Sequence, residues 1–200
     1  MIPRDHAEEL KTLTDALTAD GWEEIDFGID HSEFPGVLDG ISFRLVTSHG
    51  RRILLTANWR ATGASTSMMR LNPTDPRTAL WHAEAVNLPV SILIAAARAA
   101  MSEQPGPGPM ARLRAAGWVR QPVIDTGDGI RSLGFIAPAG GRWAAAQYIP
   151  YRGRLERGPW LISRDDLEPG DGLRAYAHTD AGAPGGVIAA LALTDGTPTT

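Results

Sequence analysis

The chain has 200 residues, of which 43% are hydrophobic and 21% are charged, and its formal net charge is −4. This composition is typical of a globular protein with a buried core, and no apolar run is long enough for a membrane span. The absence of cysteine excludes disulfides, thiolate catalysis and sulfur-ligated zinc. The acidic, amphipathic N-terminus does not resemble a secretory signal, so we expect a cytoplasmic protein.

The first predicted element is a helix over residues 6–20. Its apolar residues recur at three- and four-residue steps, which places them on one helix face: Ala7, Leu10, Leu13 and Leu17. Gly21 is expected to end this helix.

Residues 41–47 and 53–60 alternate in polarity, which predicts two strands joined by a turn at Ser48, His49 and Gly50. The alternation predicts one apolar face, formed by Ile41, Phe43, Leu45, Ile53, Leu55, Ala57 and Trp59. It predicts arginines on the other face, namely Arg44, Arg52 and Arg60. Two more strands are expected near 66–71 and 79–86, and Pro89 is expected at the first position of a closing helix.

The pattern occurs twice. The hexamer LTADGW at 17–22 returns as LRAAGW at 113–118, an offset of 96 residues. In each half an aromatic residue precedes, by eight residues, a proline that opens an apolar run: Trp81 and Pro89, then Tyr176 and Pro184. Matched anchors in the same order predict an internal duplication.

Strands of the second copy are predicted at 130–137, 142–149, 159–164 and 173–179. Alternating proline and glycine mark a linker at 104–109, which divides the chain into units 1–103 and 110–196 with a tail at 197–200. Each unit is expected to be an antiparallel sheet of about four or five strands with flanking helices. The predicted class is therefore α+β, with two tandem similar units packed as a pseudo-twofold dimer.

Three features carry a resemblance to a known family: the glycine–arginine turn at 138–142, the aromatic strand at 160–164, and the stretch 176–193 with its proline and apolar helix. A weaker copy lies at 48–51 and 81–97. These stretches resemble the SPDY-type repeat domain of unknown function found in Streptomyces and related actinobacteria. The resemblance implies an intracellular actinobacterial protein, often encoded near plasmids or mobile elements, and implies no reaction.

Charge is unevenly distributed along the chain. Residues 1–40 contain eleven acidic and two basic residues, whereas 41–72 contain five arginines and no acid. Arginine side chains on a sheet can bind phosphates, and aromatic side chains beside them can stack on bases. We therefore predict DNA binding, single strands included, by the following residues: Arg44, Arg51, Arg52, Arg60, Arg70, Arg131, Arg142, Arg152, Arg154, Tyr148, Tyr151 and Trp160. RNA is the second ligand considered. Trp143 has two alternative predicted places, the core or the nucleic-acid interface.

The alternative is a protein-interaction or self-association module, favoured by the high tryptophan content and by the acidic first helix. His82 and His178 occupy matching positions in the two copies, which also fits a structural role. The sequence contains no recognisable catalytic motif or metal-ligand spacing. We therefore expect a non-enzymatic protein without cofactor, metal or membrane partner.

Overall fold

The structure, a computed structural model, describes residues 6–25, 41–48, 53–60, 63–75, 78–102, 106–167 and 173–196. The helices in these ranges are α1 (His6–Ala19), α2 (Val90–Met101), α3 (Pro109–Ala115) and α4 (Gly185–Leu193). The strands are β1 (Glu23–Glu24), β2 (Ile41–Thr47), β3 (Ile53–Arg60), β4 (Gly63–Leu71), β5 (Ala79–Val86), β6 (Val119–Asp125), β7 (Arg131–Ile136), β8 (Arg142–Tyr151), β9 (Arg154–Arg164) and β10 (Tyr176–Thr179). No helix in the described ranges is both long enough and apolar enough to cross a membrane.

All ten of these strands belong to one antiparallel sheet, so the α+β class is confirmed. The strand order is β1-β2-β3-β4-β5-β10-β9-β8-β7-β6. The strands of the two predicted units meet at the centre, where β5 pairs with β10 in the register Val86 to Tyr176 and Ala83 to Thr179. Pairing of these two strands satisfies backbone groups that each would otherwise expose as a sheet edge.

The helices cover one face of this sheet. On β9, Trp160, Ile162 and Arg164 are buried, whereas the residues between them are half-buried, and β4 and β5 alternate in the same way. Helix α2 packs against α4, α1 packs against α2, and α3 packs against α4. Ile92 and Ile188 are fully buried, and burial of each such side chain contributes about 1.5–3 kcal/mol. The uncovered side, called the open face below, carries the half-buried residues.

Helices α1 and α3 end in the same way. Gly21 and Gly117 have φ of +85° and +79°, a conformation in which a side chain is strained. Each glycine amide donates to the carbonyl three residues earlier, and the following tryptophan amide donates to the carbonyl five residues earlier. The two longer-range bonds run from Trp22 to Leu17 at 2.9 Å and from Trp118 to Leu113 at 3.0 Å. This pair of bonds is the Schellman motif, and the predicted end of the first helix at Gly21 is confirmed.

The predicted faces of the first hairpin are wrong by one position on β2. Val46 is 1% exposed and pairs with Leu55, which is also buried, so the core residue opposite Leu55 is Val46 and not Leu45. The register likewise pairs Arg44 with Ala57, and Phe43 with Asn58. A shift of one residue in pairing exchanges the two faces of a strand. The predicted turn residues His49 and Gly50 lie outside the described ranges.

Three other elements differ from the prediction. Strand β9 begins at Arg154 and not at residue 159. Strand β6 has no predicted counterpart, because its residues are almost all exposed and do not alternate. Pro89 is the N-cap of α2 rather than its first helical residue, and Pro184 has the same role in α4. The first residues of the predicted linker, 104 and 105, and the predicted tail 197–200 lie outside the described ranges.

Candidate nucleic-acid interface

For most of the arginines predicted in the first half, the side chain lies outside the described part of the chain. Arg51 and Arg52 lie outside the described ranges, as do the side chains of Arg44 and Arg60. Arg70 is half-buried and pairs across β4 and β5 with Trp81, a core residue. The first predicted hairpin therefore supplies no exposed guanidinium in the described part of the chain.

Arg142 is engaged by the protein itself. Its Nε donates to Asp166 at 2.7 Å, and its Nη2 donates to Asp195 at 2.7 Å. Its side chain is only 23% exposed. Burial acts to lower the pKa of Arg142, but the hydrogen bond that Arg142 donates to Asp195 and the charge of Asp166 outweigh it, so the net shift is upward. Arg142 is therefore not part of the candidate interface.

Asp166 also holds Arg164, which is fully buried. The Arg164 Nε donates to Asp166 at 2.9 Å, and its Nη1 donates to the carbonyls of Leu191 and Thr194 at 3.2 and 2.9 Å. Burial acts to raise the pKa of Asp166, but Arg164 and Arg142 outweigh that effect and lower it overall. This cluster, called the arginine clamp below, consists of Arg142, Arg164, Asp166 and Asp195. It fastens the C-terminal end of α4 to β8 and β9.

Two of the three aromatic side chains predicted to contact nucleic acid are buried or half-buried. Trp160 is 0% exposed, and its ring stacks on Phe135 with 6.4 Å between centroids. Tyr148 is half-buried and packs against the core. Trp160 lies on the helix-covered face because the alternation along β9 places it with Ile162. Its ring cannot stack on a base, so Trp160 also leaves the candidate interface, whereas Tyr151 stays 52% exposed.

The strands β8 and β9 extend past both of their neighbours. The last pair of β7 with β8 is Arg131 with Tyr148, and the last pair of β10 with β9 is Thr179 with Trp160. Beyond these pairs, residues 149–151 pair only with 154–156. We call residues 148–157 the basic ribbon. Its three terminal pairs span about 10 Å at about 3.4 Å per residue.

A two-residue turn closes the basic ribbon. Arg152 and Gly153 have φ of +48° and +75°, and positive φ at both central residues is the mark of a type I′ turn. This turn type matches the twist of the flanking strands. The ribbon is therefore a regular β-hairpin whose tip presents Arg152.

Three guanidinium groups on the basic ribbon are exposed: those of Arg152, Arg154 and Arg157. Within the described part of the chain, no ion pair engages them. Arg152 lies over the Tyr151 ring, with 5.2 Å from Cζ to the centroid. Glu156 is the only acidic residue between 142 and 164. Arg131 is also exposed, but its Nε lies 3.9 Å from the Asp125 carboxylate.

The prediction missed Arg157, and it left Trp143 unassigned. Arg157 belongs to the basic stretch that the sequence already showed, so composition could have found it. Trp143 and Tyr176 are 39% and 45% exposed on the open face. They lie in one cross-strand row with Ser163 between them. Their exposure follows from strand register, which no local pattern in the sequence gives.

His82 and His178 also lie on the open face. His82 Nε2 is 2.7 Å from the Ser67 hydroxyl, and His178 pairs across the strands with Glu84. The described residues contain no group of three or more potential metal ligands among histidine and carboxylate side chains. The geometry therefore gives His82 a hydrogen-bonding role on the open face.

Comparison of the chain with models of protein families, with curated proteins and with solved structures found no match.

Proposed function

We propose that this chain is a non-enzymatic nucleic-acid-binding protein that contacts phosphates through the basic ribbon. The observation that carries the proposal is the set of three exposed arginines on a projecting hairpin, Arg152, Arg154 and Arg157. A two-stranded β-ribbon has the dimensions to enter the major groove of DNA. Lys and Arg contacts to phosphates supply most of the affinity of such complexes. The overall charge of −4 is compatible with this, because the charge of the ribbon is local.

The ribbon offers more than charge. Tyr151, Ile149 and Leu155 are 52%, 39% and 43% exposed. Aromatic rings stack on unpaired bases, and apolar side chains insert between base steps in many minor-groove complexes. The ribbon therefore suits both duplex and single strands, and the relative affinities for duplex and single-stranded DNA distinguish them.

The proposal includes a duplicated architecture with an approximate twofold axis between β5 and β10. Three observations support it: the strand order reads outward from β5 and β10 in the same sequence, α2 and α4 both follow a proline N-cap, and α1 and α3 share one C-terminal motif. A cytoplasmic location and a relationship to the SPDY-type repeat domain are further parts of the proposal, and they rest on the sequence alone.

The proposal is tested by fluorescence anisotropy of labelled single-stranded and duplex DNA over a series of salt concentrations. The variant Arg152→Ala/Arg154→Ala/Arg157→Ala should bind more weakly. Its slope of log Kobs against log salt should fall by about 0.9 for each duplex phosphate contact removed, or by about 0.7 on single strands. The matched control is Arg114→Ala/Arg120→Ala/Arg174→Ala, which removes the same charge from exposed sites elsewhere that have no ion pair in the described part of the chain. Equal binding by the two triple variants would refute the proposal.

A protein-interaction module is the second candidate. One observation favours it: Tyr176, Trp143, Ile136 and Val119 form an exposed apolar row across the open face, with only Ser163 interrupting it. Exposed aromatic patches of this kind are common at protein interfaces. If the row is a self-association surface, the wild-type chain sediments as an oligomer and Trp143→Arg sediments as a monomer.

A further inference from the structure

A cavity of about 390 Å³ opens on the open face, at the end opposite the basic ribbon. The ends of β3, β4, β5 and β10 form it, together with the residues just before β10. Val86, Tyr176 and Arg174 are among its lining residues. At protein interfaces, an aromatic side chain of one partner commonly fills a pocket of this kind on the other.

The cavity and an exposed tryptophan lie in one cross-strand row of the open face. Val86 pairs with Tyr176, and Tyr176 pairs with Ser163. Ser163 in turn pairs with Trp143, which is 39% exposed. Direct partners in an antiparallel sheet share a face, and neighbouring strands are about 4.8 Å apart. Val86 and Trp143 are therefore about 14 Å apart, at equal distances from the line midway between β9 and β10.

Two opposite charges flank this row at the same end of the strands. Asp165 follows β9 and is exposed, and its carboxylate accepts a hydrogen bond from the Ser163 hydroxyl at 2.6 Å, which places it on the open face. Arg174 precedes β10, is exposed and lines the cavity. The amide of Arg164 donates to the carbonyl of Ala175 at 2.9 Å, which continues the pairing of these strands one position past the row. Among the described residues, no ion pair engages Asp165 or Arg174.

The surroundings of the row favour packing of one face on another over addition of a strand and over binding of nucleic acid. The end strand of the described sheet, β6, contains Pro122, which has no amide hydrogen, and a bulge between Arg120 and Val123. Both features oppose pairing with a further strand. The Asp165 carboxylate beside the row repels phosphates. A cation next to an anion instead fits a partner that carries the reversed pair, and a second copy of this chain carries it when a twofold axis relates the two copies.

We propose that the open faces of two copies pack against each other about a twofold axis that runs parallel to the strands, midway between β9 and β10. This axis places Arg174 over the second copy's Asp165, and Asp165 over the second copy's Arg174. It also places Trp143 over the second copy's Val86, so that the indole enters the cavity. Packed sheets of this kind lie about 10 Å apart, with strand directions within about 30° of each other. The inference names the partner of the second candidate function and rests on it, but it does not rest on DNA binding.

Sedimentation velocity of the full chain tests the dimer and its charge pairing. Wild type should sediment as a dimer. Asp165→Arg and Arg174→Asp should each weaken the dimer about ten-fold or more, because each brings two pairs of like charges face to face. An equimolar mixture of these two variants should restore the dimer, because every contact then joins an arginine to an aspartate. The matched controls, Asp128→Arg and Arg120→Asp, reverse exposed charges elsewhere and should leave the dimer unchanged.

The cavity contact has its own variant. Trp143→Ala should weaken the dimer about thirty-fold or more, the loss expected for an aromatic side chain that fills an interface pocket. Tyr151→Ala is the matched control, because Tyr151 is 52% exposed on the basic ribbon and lies outside the contact. Arg174→Ala removes an attraction without adding a repulsion, so it should weaken the dimer only about two- to five-fold.

Two results would overturn the inference. A monomeric wild type would overturn both the inference and self-association by the row. A mixture of the two charge variants that associates no better than either variant alone would overturn the inference only, if Trp143→Arg still dissociates the wild-type oligomer, because the row would then associate in another arrangement. The proposal that the basic ribbon binds DNA does not depend on either outcome.

Discussion

Arg142 and Arg164 are direct partners on β8 and β9, and their guanidinium groups share the carboxylate of Asp166. Two like charges side by side repel each other, so Asp166 is the residue that makes their pairing stable. Asp195 neutralises the second charge from the segment that follows α4. The arginine clamp therefore converts what the sequence presents as basic surface into an internal joint between helix and sheet.

Replacement of Arg164, the buried member of the arginine clamp, should lower the free energy of unfolding. Arg164→Ala leaves the carbonyls of Leu191 and Thr194 without this donor and leaves Asp166 with one cation instead of two. We expect a loss of about 3–5 kcal/mol in the free energy of unfolding, the usual cost of breaking a buried charge pair. Urea denaturation measures it. Arg154→Ala, an exposed arginine on the same strand, is the control and should change stability by no more than about 0.5 kcal/mol.

The clamp should also make stability depend on pH in the acid range. The folded protein holds the pKa of Asp166 below its ordinary value. A carboxyl with a depressed pKa stabilises the fold fully above its unfolded value of about 3.9 and loses that contribution as pH falls through the lower, folded value. We therefore expect the stability difference between wild type and Asp166→Asn to be constant near neutral pH and to shrink below about pH 4. Urea unfolding at successive pH values would contradict this if the difference stayed constant in acid.

The sequence predicted the parts of the fold that depend on local pattern. The helix that ends at Gly21, the apolar helices after Pro89 and Pro184, and most of the strands follow from periodicity and backbone chemistry. The face of β2 does not follow from local pattern, because a change of one residue in the turn moves every side chain of the strand to the other face of the sheet. Neither does β6, since an exposed edge strand shows no apolar alternation.

In the candidate site, too, local pattern predicts some features and not those that depend on distant residues. Composition identified the basic segments, and turn chemistry is consistent with the hairpin at Gly153. Whether an arginine is free or paired depends on residues far along the chain: Asp195 lies 53 positions from Arg142.

The matched ends of α1 and α3 give a test of their shared C-terminal motif. Gly21→Ala and Gly117→Ala each place a Cβ at positive φ in the same Schellman motif, which costs about 1–2 kcal/mol. A Cβ at Gly21 has no heavy atom within 4 Å, and one at Gly117 lies 3.4 Å from Pro138 Cγ, an ordinary contact. We therefore expect nearly equal losses, measured by urea unfolding. Gly108→Ala is the control, because Gly108 has φ of −60° and open space around it.

The turn of the basic ribbon allows its shape and its charge to be tested separately. Gly153→Val keeps every arginine but places a β-branched residue at φ +75°, which strains the type I′ turn. Arg152→Asn removes one charge but leaves Asn-Gly, the preferred sequence for that turn. If the ribbon enters a nucleic-acid groove, Gly153→Val should weaken binding at every salt concentration. Its loss of global stability should not exceed the about 1–2 kcal/mol expected at Gly21, because the projecting ribbon can open locally without unfolding the sheet. Arg152→Asn should mainly reduce the salt slope, by about 0.9 on duplex DNA if Arg152 contacts one phosphate. Wild-type affinity in Gly153→Val would show that the shape of the ribbon is not used.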